Sequence, residues 1–338
     1  MSITIKDLAR LANVSHTTVS RALNNSTLIN EDTREKILKL AKQFNYVPNF
    51  NAKSLVLQKS YNIGLFFSTI DQGTSPTFFH KTLVGVNSVI KGKYNIMIRG
   101  IDDISDFLLI DNKMFDGIIL MSQSDSDNVF IYNVLQKKIP MVVLNREVAE
   151  SSLVNILSAD KKGAYTAIDY LVQNGHKDIA IIEGKKGFKS TIDRKDGYLK
   201  ALIENNIEIK KEYMIGGNYD TESGYNCMKS FLNLNNRPTA VFCSNDDMAV
   251  GAMKAVLETG LRIPEDISIV GFDNSEFCKY VTPALTTVKK PIREVSMAGA
   301  ERLLRILDKG SFEGEKVYIP TELIIRQSVA NIKDTKKL

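Results

Sequence analysis

Tryptophan is absent from the 338 residues, and cysteine and histidine occur only three times each. Cys227, Cys243 and Cys278 are far apart, odd in number and in no metal-ligand spacing, which argues against a disulfide framework or a zinc site. His16, His80 and His176 are equally scattered, and no His-Glu-x-x-His occurs. No apolar run approaches the ~20 residues that a bilayer-spanning helix needs. The opening stretch MSITIKDLARLAN has neither an apolar signal core nor a small-residue cleavage pattern. A cytoplasmic protein with reduced thiols and no membrane association is expected. Catalytic motifs are missing as well. No Gly-x-x-x-x-Gly-Lys precedes a Ser or Thr, Gly-x-Ser-x-Gly does not occur, and Gly184-Lys185-Lys186-Gly187 lacks the dinucleotide fingerprint. The sequence therefore leads us to expect no catalytic residue, no metal and no cofactor.

What is present points elsewhere. At this length, with 43% hydrophobic and 25% charged residues, the chain can bury a substantial core and more than one domain is expected. Residues 1–60 hold nine Lys or Arg against four acids, which is the entire net charge of +5; the remainder is neutral. A basic head on a neutral body implies a polyanionic partner for the head alone.

Within the head, residues 4–12 read as a helix with Thr4 and Asp7 in a capping arrangement and Ile5, Leu8, Ala9 and Ala12 as its apolar stripe. Asn13-Val14-Ser15 breaks the pattern, and Ser15 caps a second helix over 16–24 with Val19, Ala22 and Leu23 on one face. Asn30 caps a third, whose buried side draws on Ile37, Leu38, Leu40, Ala41 and Phe44. Three such helices with a three-residue first turn form a helix-turn-helix, whose second helix enters a DNA major groove N-terminus first. His16 and Thr17 then stand at the base edges, and the fork of Arg21 suits two guanine acceptors. Ser15, Thr18 and Ser20 suit phosphates.

After Pro48 comes Asn49-Phe50-Asn51-Ala52-Lys53-Ser54-Leu55-Val56-Leu57, enough for about two helical turns, marginal in isolation. Two readings stand at this point: a plain interdomain linker, or a segment that orders on a partner with Leu55 wedging into a minor groove.

From residue 61 short, nearly all-apolar runs recur (63–67, 95–98, 117–121, 141–144, 155–158, 179–183, 240–243, 267–271) with amphipathic stretches between them, at 80–91, 161–173, 194–205, 222–232 and 247–259. That rhythm predicts an α/β body with parallel sheets covered on both faces. Two lobes are expected, one of about 61–160 plus 291–320 and the other of about 161–290 plus 321–330. Their strand ends would line one cleft. Polar residues just after strands are the natural ligand contacts: Asn145-Arg146, Asp160 closing a strand before a helix from Lys161, Asn245-Asp246 and Asp273-Asn274. Arg194 at a helix start and Tyr219, an aromatic for an apolar sugar face, join them. Acids, amides, one Arg and one aromatic suit a neutral polyol.

In combination these stretches resemble the lactose/galactose repressor family of bacterial transcriptional regulators. Thr4-Ile5-Lys6-Asp7-Leu8-Ala9, Ala12-Asn13-Val14-Ser15 and Thr18-Val19-Ser20-Arg21-Ala22-Leu23-Asn24 carry the likeness in the head. Tyr46-Val47-Pro48-Asn49 and Ala52-Lys53-Ser54-Leu55 extend it. In the body it rests on Asp193-Arg194-Lys195-Asp196-Gly197-Tyr198, Asn245-Asp246-Asp247-Met248-Ala249, Val270-Gly271-Phe272-Asp273 and Leu285-Thr286-Thr287-Val288. The resemblance implies an all-α helix-turn-helix head (1–48), a hinge helix and linker (49–60), and a two-lobed periplasmic-binding-protein-like body (61–330). A polar tail (331–338) follows. It implies base contacts from His16, Thr17 and Arg21, hinge contacts to the minor groove from Ala52, Lys53 and Leu55, and effector contacts from Arg194, Asn245 and Asp273. Asn145 and Tyr219 fall at variable positions of the same pocket. The implied partners are a near-palindromic double-stranded operator, a second copy of the chain and a small molecule, a sugar or sugar phosphate. A purine or nucleoside effector, and a sugar-processing enzyme with a DNA-binding head, are the alternatives. The short polar tail favours a dimer over a tetramer. Some relatives use a phosphorylated carrier protein through an Arg in the helix at 292–308; here that position is Glu301, with Arg302 one step away, which argues against that partner.

Overall fold

The computed structural model describes residues 3–23, 26, 28–44, 46, 59–71, 73–310 and 313–333. The chain divides into two compact units, residues 1–59 and 60–338, each considered by itself.

The first unit holds α1 (Ile5–Ala12), α2 (His16–Leu23) and α3 (Glu31–Gln43). A reciprocal capping box starts α1: the Asp7 amide donates to Thr4 Oγ1 at 3.3 Å, and the Thr4 amide donates to the Asp7 carboxylate at 3.0 Å. Asn13 ends it in the left-handed region (φ 57°), a conformation that Asn adopts at little cost. The Thr18 amide donates to Ser15 Oγ at 3.0 Å and the Asp32 amide to Asn30 Oδ1 at 2.9 Å, starting the other two helices. Lys36 on α3 donates from Nζ to the Ala12 carbonyl at 3.0 Å, placing a cation on the C-terminus of α1. Leu8, Ala9, Ala12, Val19, Ala22, Ile37 and Ala41 form the core. Two expectations fail: Leu38 and Phe44 are exposed. Leu38 lies 100° around the helix from Ile37, and Phe44 stands at the C-cap, past the packed stripe.

The second unit contains two six-stranded sheets. Its elements run β1 (Asn62–Phe67), α4 (Pro76–Ile90), β2 (Asn95–Gly100), β3 (Gly117–Met121), α5 (Asn128–Gln136), β4 (Met141–Leu144), β5 (Val154–Ser158) and α6 (Asp160–Gln173). There follow β6 (Ile179–Glu183), α7 (Lys189–Glu204), β7 (Met214–Gly216), α8 (Thr221–Leu232), β8 (Ala240–Cys243), α9 (Asp246–Glu258) and β9 (Ser268–Phe272). The last are β10 (Thr286–Lys289), α10 (Ile292–Lys309), β11 (Lys316–Ile319) and β12 (Glu322–Ile324). The strand orders are β11-β5-β4-β3-β1-β2 and β12-β10-β9-β8-β6-β7. Strands such as β3 and β9 are wholly buried because helices cover both faces of each sheet. Apolar clusters lie on both sides of each sheet.

The chain passes between the sheets three times, after β5, after β10 and after β11. The first sheet is parallel throughout, but β12 runs antiparallel to β10. The third crossing explains this: β12 enters the second sheet from the side at which β10 ends. Three further details depart from the sequence reading. Asp160 opens α6 rather than closing β5. The helix holding Arg194 begins at Lys189, so Arg194 sits in its second turn. α5 and the three-residue β7 lay below the pattern's reach.

Close helix contacts set the geometry that matters later. A Cβ at Gly197 would lie 2.2 Å from the Lys161 carbonyl, so α7 crosses α6 at a separation only glycine permits, one turn beyond Arg194. At the start of the unit, Asp116 accepts the Ser60 amide at 2.7 Å, the Ser60 hydroxyl at 3.0 Å and the Tyr61 amide at 3.0 Å, fastening the incoming chain to the first lobe. Gly197→Ala is expected to push the two helices apart and destabilise the body by about 1–3 kcal/mol. The exposed change Lys200→Ala on the same helix should stay within about 0.5 kcal/mol. Thermal melts of the two variants decide it: equal melting temperatures would show that α7 relaxes freely.

Candidate functional site

The loops that leave β4, β7, β8 and β9 and the second turn of α7 converge on one cavity between the lobes. Asn145, Arg194, Tyr219, Asn245 and Asp273, singled out from the sequence, all line it. Three of these five stand in the left-handed region, Asn145 at φ 69°, Tyr219 at φ 66° and Asp273 at φ 111°. Non-glycine residues rarely adopt such backbone, and where they do so together the surrounding structure holds them there, commonly at ligand sites. Each follows the end of a strand.

Asp160 ties the site together. Its Oδ2 accepts Arg194 Nη2 at 2.8 Å, Arg194 Nε at 3.1 Å and Lys290 Nζ at 3.0 Å, while Oδ1 accepts the Ser158 hydroxyl. Burial alone would raise this carboxyl; Lys290 and Arg194, with Ser158, outweigh burial and hold it at about 2. Arg194 also donates to the Ser244 carbonyl, and its guanidinium carbon lies 3.8 Å from the centre of the Phe272 ring. Burial would weaken its charge, but Asp160 above all keeps the guanidinium protonated. Asp273 reaches Arg194 at 3.6 Å, and burial raises its carboxyl.

The neutral groups are held just as firmly. Asn245 caps α9, accepting the Met248 amide at 2.9 Å, and its Nδ2 donates to the Tyr219 carbonyl at 2.9 Å. The Tyr219 hydroxyl meets Ser190 and Thr191 hydroxyls, each at 2.9 Å, and its ring stacks on Phe188 with centroids 6.2 Å apart. The Tyr219 ring is thus already packed on protein rather than standing free for a sugar. Asn145 Nδ2 donates to the Ser122 carbonyl at 3.0 Å.

Among the lining or bridging residues that escaped the sequence reading are Phe78, Gln123, Lys81 and Lys290. Lys290 follows β10 by one residue, so the post-strand rule that found Asn145 applies to it equally. Lys81 lies within α4, where no local pattern marks it. It donates across the cleft to the carbonyls of Asp273 and Asn274, both at 3.2 Å. The Lys189 amide also crosses, to the Gln123 carbonyl at 2.8 Å, beside a strand-like bridge between Ser124 and Phe188. With the lobes so joined, the cavity has about 30 Å³ of open space, on the order of two water molecules. A second cavity of about 660 Å³ adjoins it, sharing Gly73, Ser75 and Tyr219.

Three other post-strand residues serve the framework. Arg146 points away, to Ser122 Oγ at 2.8 Å, Asp125 at 2.8 Å and Asn128 at 2.7 Å. Asn274 accepts Arg326 at 2.7 Å. Asp246 lies beneath the cavity, accepting the Ser275 amide at 2.6 Å and the Thr287 hydroxyl at 2.5 Å. Burial, then the neighbouring Asp273, raises its carboxyl to about 7. Among the described residues no group of three or more His, Cys, Asp or Glu is placed to hold a metal. No described helix is long and apolar enough to cross a membrane.

On the head, Ser15, His16, Thr17 and Arg21 are exposed at and beyond the start of α2, opposite buried Val19 and Ala22. Thr17 and Arg21 are one turn apart and share a face. Thr18 and Ser20 are half-buried, and the Ser15 and Thr18 hydroxyls bond to each other at 2.9 Å. Ala52, Lys53 and Leu55 lie outside the described residues.

Comparison with known proteins bears on both units. Residues 4–49 match the family model described as bacterial regulatory proteins, lacI family, and residues 168–329 match that of a periplasmic binding protein-like domain. The probable HTH-type transcriptional repressor ExuR of Bacillus subtilis (strain 168) is 55% identical over 330 residues, covering 98% of this chain and 99% of that protein. The lac repressor dimer bound to operator and the anti-inducer ONPF superposes with a TM-score of 0.80 at 27% identity, covering 98% of this chain and 100% of that one. A LacI family regulator from Enterococcus faecium with bound ribose gives 0.72 at 26% identity, covering 80% and 100%.

Asp246 sets a testable pH response. Its folded value near 7 lies above the ordinary carboxylate value of 3.8, so it stabilises the body below about pH 4, and that contribution is lost as pH rises toward 7. Asp246→Asn is expected to flatten this part of the stability profile, measured by denaturant titration of the full chain between pH 4 and 8. An unchanged slope would assign the titration to another group.

Proposed function

The chain belongs to the lacI family of bacterial regulatory proteins and is a non-catalytic DNA-binding repressor with a small-molecule effector pocket; from this we propose that a carbohydrate bound between its lobes controls its operator affinity. The observation that carries the reading is the convergence of Asn145, Arg194, Tyr219, Asn245 and Asp273 on one cavity, three of them in left-handed backbone. Amides, a guanidinium and carboxylates are the partners that ring hydroxyls need. The ribose-bound relative is consistent with this reading.

On this reading the DNA contacts come from α2. His16, Thr17 and Arg21 address base edges, and Ser15, Thr18 and Ser20 address phosphates, the first two already oriented by their mutual hydrogen bond. Ala52, Lys53 and Leu55 enter the minor groove at the centre of a near-palindromic operator bound by a homodimer. Glu301 and the pairing of Arg302 with Glu315 at 2.8 Å support a dimer that works without a phosphorylated carrier protein.

Signalling then follows from the cleft. The joined lobes leave about 30 Å³, too little for a sugar ring, so binding separates the lobes or swings Lys290 and Tyr219 aside. Separating the lobes alters the angle between them, and moving Lys290 aside breaks its bond to Asn145 across the cleft. Because Asp116 fastens residues 60 and 61 to the first lobe, the two protomers then present their linkers at a different separation. The ligand shifts this equilibrium only by the difference in its affinity for the two states, and a factor of 100 corresponds to about 2.7 kcal/mol per site.

Two measurements check the proposal. Arg21→Ala is expected to cost about 1–3 kcal/mol per half-site on operator DNA and much less on random DNA; equal losses would reduce Arg21 to a phosphate contact. Arg194→Ala is expected to abolish the operator response to the effector found by thermal-shift screening of mono- and disaccharides. Silence from every sugar together with a shift from a purine or nucleoside would overturn the carbohydrate reading.

A further inference from the structure

The turn that carries Asp273 is held from two sides. Asp273 at φ 111° and Asn274 at φ 51° are consecutive residues in the left-handed region, where residues other than glycine persist only with support from their surroundings. The second lobe supplies that support at the amides. The Asp273 amide donates to the Val288 carbonyl at 2.7 Å, the Asn274 amide to Thr287 Oγ1 at 3.4 Å and the Ser275 amide to Asp246 at 2.6 Å. Arg326 adds a bond to the Asn274 side chain at 2.7 Å. The carbonyls are served differently. Those of Asp273 and Asn274 both accept Lys81 Nζ at 3.2 Å, and no other bond to either is found among the described residues. A helix of the first lobe thus completes a turn of the second. Lys81 is half-buried and stands one turn beyond Phe78 on α4; Phe78 lines the cavity, whereas Lys81 does not. An ammonium has three donors, so one Lys81 can fix both peptide planes of the turn against α4. Burial raises the Asp273 carboxyl, and Arg194, Lys290 and Lys81 oppose that rise.

We infer that Lys81 is a positioning residue: without touching the effector, it presents Asp273 to the cavity, and it does so only while the lobes are joined. This rests on the reading of Asp273 as an effector contact and adds the residue that readies it. When the lobes part, the two carbonyls lose their donor. The turn then relaxes within its own lobe, and Asp273 leaves its place beside Arg194. Contact between Asp273 and an effector thereby becomes conditional on the relation of the lobes. That condition gives the effector different affinities for the two states, the quantity on which its control of the operator depends. Of the two ways in which the cavity can admit a sugar, Lys81 favours the movement of Lys290 and Tyr219, with its own bonds across the cleft kept.

Amide exchange of the ligand-free full chain, read by mass spectrometry, is the first test. In Lys81→Met, exchange at Asn274 and Ser275 is expected to quicken by about tenfold or more, while that of β6 stays within about twofold. Lys81→Arg, whose fork can reach both carbonyls, should restore slow exchange. Isothermal titration with D-ribose, D-galactose and D-glucose supplies the functional readout. For a sugar that binds, Lys81→Met should weaken binding by about tenfold, yet cost less than about twofold once Asp273→Asn is present, because the two residues act as one unit. Unchanged exchange in Lys81→Met would show that the turn holds itself. Faster exchange throughout the body would make Lys81 a general stabiliser. An equal loss of sugar affinity with and without Asp273→Asn would mean that Lys81 acts by another route. Any of these three results overturns the inference. If none of the three sugars binds, the exchange result still decides it, and that silence counts against the carbohydrate reading alone.

Discussion

A carboxylate taken wholly out of water must be paired or give up its charge, and Asp160 solves this by holding two cations at one oxygen. That arrangement fixes much else. Asp160 begins α6, Arg194 comes from the second turn of α7, and Lys290 stands at the crossing between β10 and α10. Their meeting requires α6 and α7 to touch closely, which Gly197 allows. It also requires two of the three crossing segments to lie side by side. Once Arg194 is anchored it stacks on Phe272 and supports Asp273, so the floor of the cavity is built outward from one ion cluster. Removing one partner would strand the others as uncompensated buried charges, a far larger penalty than the pair's own net stabilisation.

The cluster also decides how the lobes communicate. Lys290 reaches Asn145 of the first lobe, Lys81 reaches back to carbonyls of the second, and the Lys189 amide adds a backbone bond to Gln123. These links are polar, few and close to the cavity, whereas the apolar clusters lie on the two faces of each sheet. A ligand that competes for a handful of polar bonds can therefore alter the relation between lobes without disturbing either core. Packed cores resist gradual deformation, so such a change tends to occur between discrete arrangements.

Much of this was legible in the sequence because it depends on local or periodic signals. The caps at Thr4, Ser15 and Asn30, the apolar stripes of α1 and α2 and the all-apolar strands each declare themselves within a few residues. Three of the five cavity residues, Asn145, Asn245 and Asp273, were readable because Asn and Asp after a strand mark both turns and ligand contacts. What escaped depends on distant partners. Arg146 and Asp246 satisfy the same post-strand rule as Asn145 and yet serve the framework, since only their neighbours in space, Asp125 and Asn128 or Ser275 and Thr287, decide the matter. Lys81 lies within a helix with nothing nearby in sequence to mark it, and Tyr219 is spoken for by Phe188. Leu38 and Phe44 were misjudged because hydrophobicity was counted without its angle around α3. The antiparallel β12 follows from the direction in which the chain crosses, which composition does not record.

The threefold crossing of the chain has a consequence for how the protein is made. The three helices between Ile5 and Gln43 pack on one another, so they can fold as soon as they leave the ribosome. The first sheet cannot do the same: β5 ends at Ser158, but its edge partner β11 ends at Ile319. At about 5–20 residues per second, translation leaves the edge of β5 and the face later covered by α10 exposed for roughly ten to thirty seconds. During that interval the nascent first lobe shows an unpaired parallel edge and an apolar face to its surroundings, the condition under which chains associate wrongly or engage chaperones. The topology that carries the chain three times between the sheets thus obliges its synthesis to pass through a sticky half-built stage, and α10 and β11, made near the end, are what bring that stage to a close.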